Sequence, residues 1–280
     1  MKTLTALWLM LRGCAHLLFG WWLVRMRFPR MTQAEREACV QRWARGCLKI
    51  WRIDLEVRGQ PPRHGPVLLV SNHISWLDIL VLHAAGFCRF VSKADVGRWP
   101  VIGALATGAS TLYIERASRR DALRVVHHMQ EALRRGEVVA VFPEGTSSDG
   151  TALLPFHSNL IQAAISARAP AQPVALRFVD GRTGQPSMAP IFVDEQTLIG
   201  SVWRTLTTPG TRAVVTYGEP QSSEGRDRRP WAAELRAAVA ALHASAACQQ
   251  EQIPPDGGRL DTPIGLSSAA RASALRESDR

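Results

Sequence analysis

The chain is poor in cysteine, and the few it has are badly placed for cysteine chemistry. Five occur in 280 residues, at Cys14, Cys39, Cys47, Cys88 and Cys248. The number is odd and the short paired spacings of a zinc or redox site are missing, which argues against a disulfide framework and for incidental thiols in a reducing compartment. Also missing are G-x-G-x-x-G, G-x-x-x-x-G-K-[ST] and G-x-S-x-G. Dinucleotide enzymes, P-loop nucleotidases and elbow-type serine hydrolases thereby lose their main support. Acidic residues are short as well: 24 Asp and Glu against 34 Lys and Arg leave a net charge of +10. Such an excess favours a polyanionic partner, either nucleic acid or an anionic bilayer.

The distribution of charge chooses between them. Residues 1–60 hold eleven basic side chains against four acidic ones, and this stretch is also the most apolar and Trp-rich. Leu4 to Val24 is about long enough, at roughly 1.5 Å per residue, to span a hydrocarbon core of roughly 30 Å. Arg12 and His16 interrupt it. A buried Arg costs at least about 2.5 kcal/mol at mid-membrane, so a helix lying in the interface, with Trp8, Trp21 and Trp22 at headgroup level, is preferred. Arg25, Arg27 and Arg30 follow, and the positive-inside rule places the remainder on the cytoplasmic side of the inner membrane. A second amphipathic stretch runs from about Thr32 to Arg52, with Thr32 and Glu35 resembling a capping box, and can pack as a hairpin on the first. With no recognised nucleic-acid motif, the charge reads as membrane-directed.

From Pro66 onward short β-rich runs alternate with helical patterns, as in an α/β domain with a mixed, mostly parallel sheet flanked by helices. Strands are expected at Val67–Val70, Arg89–Val91, Thr111–Ile114, Val138–Phe142, Val174–Phe178 and Ala213–Tyr217. The clearest helix is Asp121–Arg135, where Ala122, Val125, Val126, Met129 and Leu133 form one stripe ending near Gly136; Pro230–Ala246 is another. The tail from Gln249 is too polar, and too rich in Pro and Gly, to order itself. These signals divide the chain into membrane-associated helices at 1–58, a catalytic domain at 59–247 and a disordered tail at 248–280.

Two segments carry groups able to do chemistry. In Val67 to Leu82 a buried-looking strand runs out into Asn72-His73, and a helix begins a few residues later. His73 and Asp78 are five apart, which on a regular helix is about 140° around the axis, so their side chains meet only if His73 sits in the loop and Asp78 in the first helical turn. Taken alone, the pair reads first as structural, with Asp78 capping a helix behind Ser75 and His73 filling a turn. A His oriented by a carboxylate can act as general base toward a hydroxyl. The second segment, Val138 to Gly150, ends a strand in a turn bearing Glu144 and Gly145, and taken alone an ordinary Pro-Glu-Gly turn is the favoured explanation.

Four segments in order change the weighing: NHISWLD at 72–78, GASTLYIER at 108–116, FPEGTS at 142–147 and QPVALR at 172–177. Together they resemble the ordered motifs of the phospholipid and glycerol acyltransferase family, over roughly residues 60–220. The resemblance implies a lysophospholipid acyltransferase that moves an acyl group from acyl-CoA or acyl carrier protein to the free hydroxyl of 1-acyl-sn-glycerol-3-phosphate. It implies His73 as catalytic base with Asp78 behind it, and Arg116, Glu144, Gly145 and Thr146 around the acceptor's polar head. No metal or cofactor is implied, and backbone N–H groups near Gly145 are candidates for holding the oxyanion. One departure stands out: Ser147-Ser148-Asp149 replaces an Arg common after the third motif, a feature more like the branch that acylates lyso-ornithine lipids. A catalytically idle membrane adaptor is the rival class, disfavoured because His73 and Asp78 are both present.

Overall fold

The computed structural model describes residues 2–114, 119–193 and 196–251. It opens with helices α1 (Lys2–Met26) and α2 (Gln33–Ile50), joined by a 3-10 turn at Phe28–Arg30. The capping box forms: Thr32 N–H donates to Glu35 Oε2 at 2.7 Å, and Glu35 N–H to Thr32 Oγ1 at 3.4 Å. The two helices pack as a hairpin through small residues. A side chain on Gly13 would run into Trp51, and one on Gly20 into Trp43. Trp43 Nε1 donates to the His16 carbonyl at 3.0 Å while its ring stacks on His16 at 5.4 Å. His16 is therefore satisfied against the protein, and the opposite side of α1 leaves Leu4, Leu7, Trp8, Leu11, Leu18 and Phe19 exposed. By length and composition Thr3–Met26 can cross a membrane. The Arg12 guanidinium lies over the Trp8 ring, 4.5 Å from its centre.

Among the described residues seven strands form one sheet: β1 (Asp54–Arg58), β2 (Val67–Ser71), β3 (Arg89–Lys93), β4 (Leu112–Ile114), β5 (Val138–Val141), β6 (Ala171–Asp180) and β7 (Thr211–Tyr217). Their order is β1-β7-β6-β2-β5-β3-β4, with β6–β7 antiparallel and the other pairs parallel. The helices that follow are α3 (Leu77–Ala85), α4 (Ala94–Gly97), α5 (Ile102–Gly108), α6 (Arg119–Arg134), α7 (Ser158–Ala167), α8 (Leu198–Thr207) and α9 (Arg228–Glu251). The mixed, mostly parallel α/β architecture expected from the sequence is what forms.

The strand alternation sorts side chains to two cores. On β2, Val67 and Leu69 join Leu77, Val81 and Leu82 of α3, while Leu68 and Val70 join Met129 and Leu133 of α6 and Ile161 of α7. Each fully buried Leu contributes about 1.5–3 kcal/mol. The helix expected at Asp121–Arg135 appears as α6, closed by Gly136 at φ +79°.

Two differences from the sequence reading have physical causes. β1 was not expected, because Asp54, Glu56 and Arg58 make it too polar for a core strand. It is an edge strand, and Glu56 is held by Arg58 at 2.7 Å and by Arg212 of β7 at 3.5 Å. β6 begins three residues earlier than expected, with Pro173 inside it; the antiparallel ladder to β7 starts only at Val174. α9 runs on to Glu251, so residues 248–251 at the start of the expected disordered tail are helical; the rest of that tail lies outside the described residues.

His83 of α3 is buried beneath Phe87 and Phe90, the latter meeting it edge-on at 4.9 Å. Burial pushes its imidazole from near 6.5 down to about 4, so it is neutral in the fold. The unfolded chain binds the proton first: the contribution to stability is complete above about pH 6.5 and is lost as pH falls toward 4. The loss approaches about 1.4 kcal/mol per pH unit in that window. Denaturant midpoints of the detergent-solubilised protein at pH 7.5 and 5 are expected to diverge, and His83→Phe to narrow the gap. An unchanged gap in that variant refutes the assignment.

Candidate active site

β2 and β5 are parallel neighbours, so the turns leaving their C-terminal ends lie side by side at the sheet edge where α/β folds place their sites. β2 delivers His73 and β5 delivers Glu144. The first turn is shaped by a single carboxylate oxygen. Asp78, in the first turn of α3 and fully buried, accepts at Oδ2 from Ile74 N–H at 2.7 Å and Ser75 N–H at 2.9 Å, with His73 Nδ1 at 2.8 Å. One oxygen thus holds the loop amides and orients the ring, while α3 itself has its N-cap at Trp76, without a side-chain cap, and not at Ser75 as the sequence suggested. An ionised carboxylate only accepts, so the His73 proton sits on Nδ1 and the neutral ring carries its lone pair on Nε2.

The ring is held on its face as well as its edge. Phe142, the last residue before the β5 turn, stacks on it with centroids 4.2 Å apart and planes 13° from parallel, and Phe90 backs Phe142 at 5.7 Å. The His73 side chain keeps 22% of its surface exposed, so the ring is not sealed from solvent. Nothing in the sequence separated Phe142 from an ordinary core residue at a strand end.

The backbone around His73 is fixed from three sides. Asn72, fully buried, imitates a strand: its Nδ2 donates to the Leu176 carbonyl at 3.0 Å and its Oδ1 accepts from Leu176 N–H at 2.7 Å. Ser148 N–H donates to the His73 carbonyl at 2.9 Å. His73 N–H donates to Glu144 Oε1 at 2.8 Å, and the other oxygen of Glu144 accepts from Leu154 N–H at 2.8 Å. Burial raises the Glu144 pKa above the ordinary carboxylate range, against the lowering effect of those two N–H groups.

The remaining residues singled out in the sequence fall as follows. Gly145 has φ +75°, open to glycine at little cost, and an added Cβ would lie 3.0 Å from the His157 ring. Its N–H closes the turn on the Phe142 carbonyl at 3.1 Å, so this amide, a candidate oxyanion donor from sequence, is already engaged. Thr146 is exposed beside it. Ser147 donates to the Phe192 carbonyl, and the Asp149 carboxylate takes both the N–H and the hydroxyl of Thr151, at 2.9 and 2.7 Å. Asp149 is therefore used within its own loop. Arg116 lies outside the described residues. The sequence brought His73, Asp78, Glu144, Gly145 and Thr146 forward, and the fold gathers them; Asn72 and Phe142 were visible only as members of motifs, and Ser148 only in the run that departs from one, without a role.

With this geometry in place, three comparisons bear on it. The family model described as Acyltransferase matches residues 53–177. Lyso-ornithine lipid O-acyltransferase of Pseudomonas aeruginosa is 35% identical over 224 residues, covering 79% of this chain and 85% of that protein. 1-acyl-sn-glycerol-3-phosphate acyltransferase of Neisseria meningitidis serogroup B is 40% identical over 160 residues, 57% of this chain and 62% of that protein. The crystal structure of the 1-acyl-sn-glycerophosphate acyltransferase PlsC from Thermotoga maritima superposes with a TM-score of 0.59 at 19% identity, covering 88% of this chain and 99% of that one, a likeness of fold.

Replacing Asp78 by Asn keeps an acceptor for the two loop amides but removes the charge that fixes the His73 tautomer. Turnover is expected to fall by about 10²-fold or more while the thermal midpoint stays near that of the parent. Steady-state kinetics beside a melting curve reads both; a loss of stability with turnover intact reduces Asp78 to a cap.

Proposed function

Because the chain belongs to the acyltransferase family, we propose that it esterifies the free hydroxyl of a lysolipid with His73 as general base. The observation that carries this reading is the His73–Asp78 contact at 2.8 Å, made through Nδ1 by a side chain that keeps 22% of its surface exposed. Nε2 removes the hydroxyl proton as the oxygen attacks the thioester carbonyl. The tetrahedral oxyanion collapses, the C–S bond breaks, and the departing thiolate takes the proton back from the imidazolium. Asp78 stabilises the imidazolium in between. The donor is an acyl thioester of coenzyme A or of acyl carrier protein, each acidic and suited to a chain of net charge +10.

The acceptor is placed first as 1-acyl-sn-glycerol-3-phosphate, with Arg116 and Thr146 near its head group; a guanidinium fork suits a phosphate. One observation favours lyso-ornithine lipid as a second reading. Ser147 stands where a guanidinium often assists phosphate, and its hydroxyl is spent on the Phe192 carbonyl. The relative covering 79% of this chain is named for that acceptor. We further propose that the exposed face of α1 lies in the inner membrane's cytoplasmic leaflet, since Leu4, Leu7, Trp8, Leu11, Leu18 and Phe19 form it and Arg25, Arg27 and Arg30 follow.

His73→Ala is expected to lower acyl transfer by about 10²- to 10⁴-fold with the fold and membrane attachment intact; near-parental turnover overturns the mechanism. The purified enzyme assayed side by side on 1-acyl-sn-glycerol-3-phosphate and lyso-ornithine lipid, with the same thioesters, decides the acceptor. Deleting residues 1–30 is expected to release much of the protein from membranes or to aggregate it. A truncated protein that is fully soluble and fully active on vesicle-borne lysolipid removes α1 from the reading.

A further inference from the structure

Glu144 belongs to the motif whose resemblance points it at the acceptor, yet its carboxylate is turned inward. It is 4% exposed, and each of its two oxygens already holds a backbone N–H at 2.8 Å, one from His73 and one from Leu154. Each oxygen could accept a further hydrogen bond, but with 4% of the residue exposed there is little carboxylate surface for a head group to reach. Drawing the carboxylate outward would strip the two amides of their partner, at about 1–3 kcal/mol for a buried donor left unpaired. Taking up the acceptor through Glu144 would loosen the residue that must stay in line.

We propose that Glu144 is a positioning residue: it clamps the His73 main chain to the 144–154 loop and acts on acyl transfer through His73 instead of by touching the lysolipid. The clamp joins groups 71 residues apart in sequence, across the turns of two adjacent parallel strands. It completes what Asn72 does from the other side, where both polar atoms of a buried amide are locked to Leu176. With the ring held by Asp78 and Phe142 and the main chain by Glu144, Asn72 and Ser148, His73 has little rotation or translation left to lose on reaching the transition state.

The proposal rests on His73 being the base, and its test is separate from that premise. Glu144→Gln is isosteric but offers one acceptor and a donor, so one of the two amides meets an N–H instead of an oxygen. The expected result is a fall of about 10²-fold in kcat, of the size that follows a displacement near 1 Å at a reacting group, with KM for the lysolipid unchanged. A rise in KM with kcat preserved makes Glu144 an acceptor ligand and overturns the proposal, as does parental behaviour in both. If that variant does not fold, hydrogen exchange on the unaltered enzyme decides. The His73 amide is expected to exchange slowly, and no faster when 1-acyl-sn-glycerol-3-phosphate is added in detergent micelles. Faster exchange on addition means the carboxylate has left the amide for the ligand, which refutes the clamp. Activity surviving in His73→Ala would remove the premise; His73→Ala dead with Glu144→Gln altered in KM alone would remove only the proposal.

Discussion

Asp78 Oδ2 is the point on which the site turns. Three donors converge on one buried oxygen, two from the loop and one from the imidazole, within 2.7 to 2.9 Å. A carboxylate in the interior is expensive unless its charge is met by hydrogen bonds; those that meet Oδ2 come from the loop and ring that the proposed mechanism uses, while Oδ1 lacks a partner among the described residues. Burial thus makes the loop conformation and the His73 tautomer a single choice. A loop that strayed would leave the charge unpaired, so the cost of disorder is carried by the same atom that gains from order.

The sheet supplies the second constraint. Parallel pairing of β2 with β5 sets two turns next to each other, and pairing of β2 with β6 puts Leu176 beside Asn72. A parallel sheet covered on both faces is rigid, and the turns at its C-terminal ends inherit that rigidity while remaining open to solvent. Thioester and hydroxyl chemistry gains from such an arrangement, because positional precision comes from the scaffold and access from the edge. α1 and α2 add a different kind of surface. Glycines and large aromatics close the hairpin inward, and the side of α1 turned away from it is apolar and uncovered.

In and just after the third motif several polar groups are already engaged within the protein. Ser147 serves Phe192, Asp149 serves Thr151, and Gly145 closes its own turn. A field argument from the bare run Ser-Ser-Asp treats Asp149 as a charge facing the acceptor. Its bonds to Thr151 lower its pKa and hold it in its own turn. Residue types alone do not reveal which of them are already satisfied.

The sequence by itself determined the α/β class, the capping box at Thr32 and Glu35, the amphipathic α6 and the membership of His73 and Asp78 in one motif. These are short-range matters, set by periodicity and by residues within five positions of each other, and a chain carries them wherever it folds. Spacing even dictated the condition under which the pair could meet, with His73 outside the helix and Asp78 inside it. Tertiary structure alone decided the rest. The stacking of Phe142 on His73, the inward turn of Glu144, the backbone mimicry of Asn72 toward Leu176 and the polar edge strand β1 all depend on which strands become neighbours. Strand order is fixed by the burial of two whole faces at once, a sum over many distant residues that no local window contains.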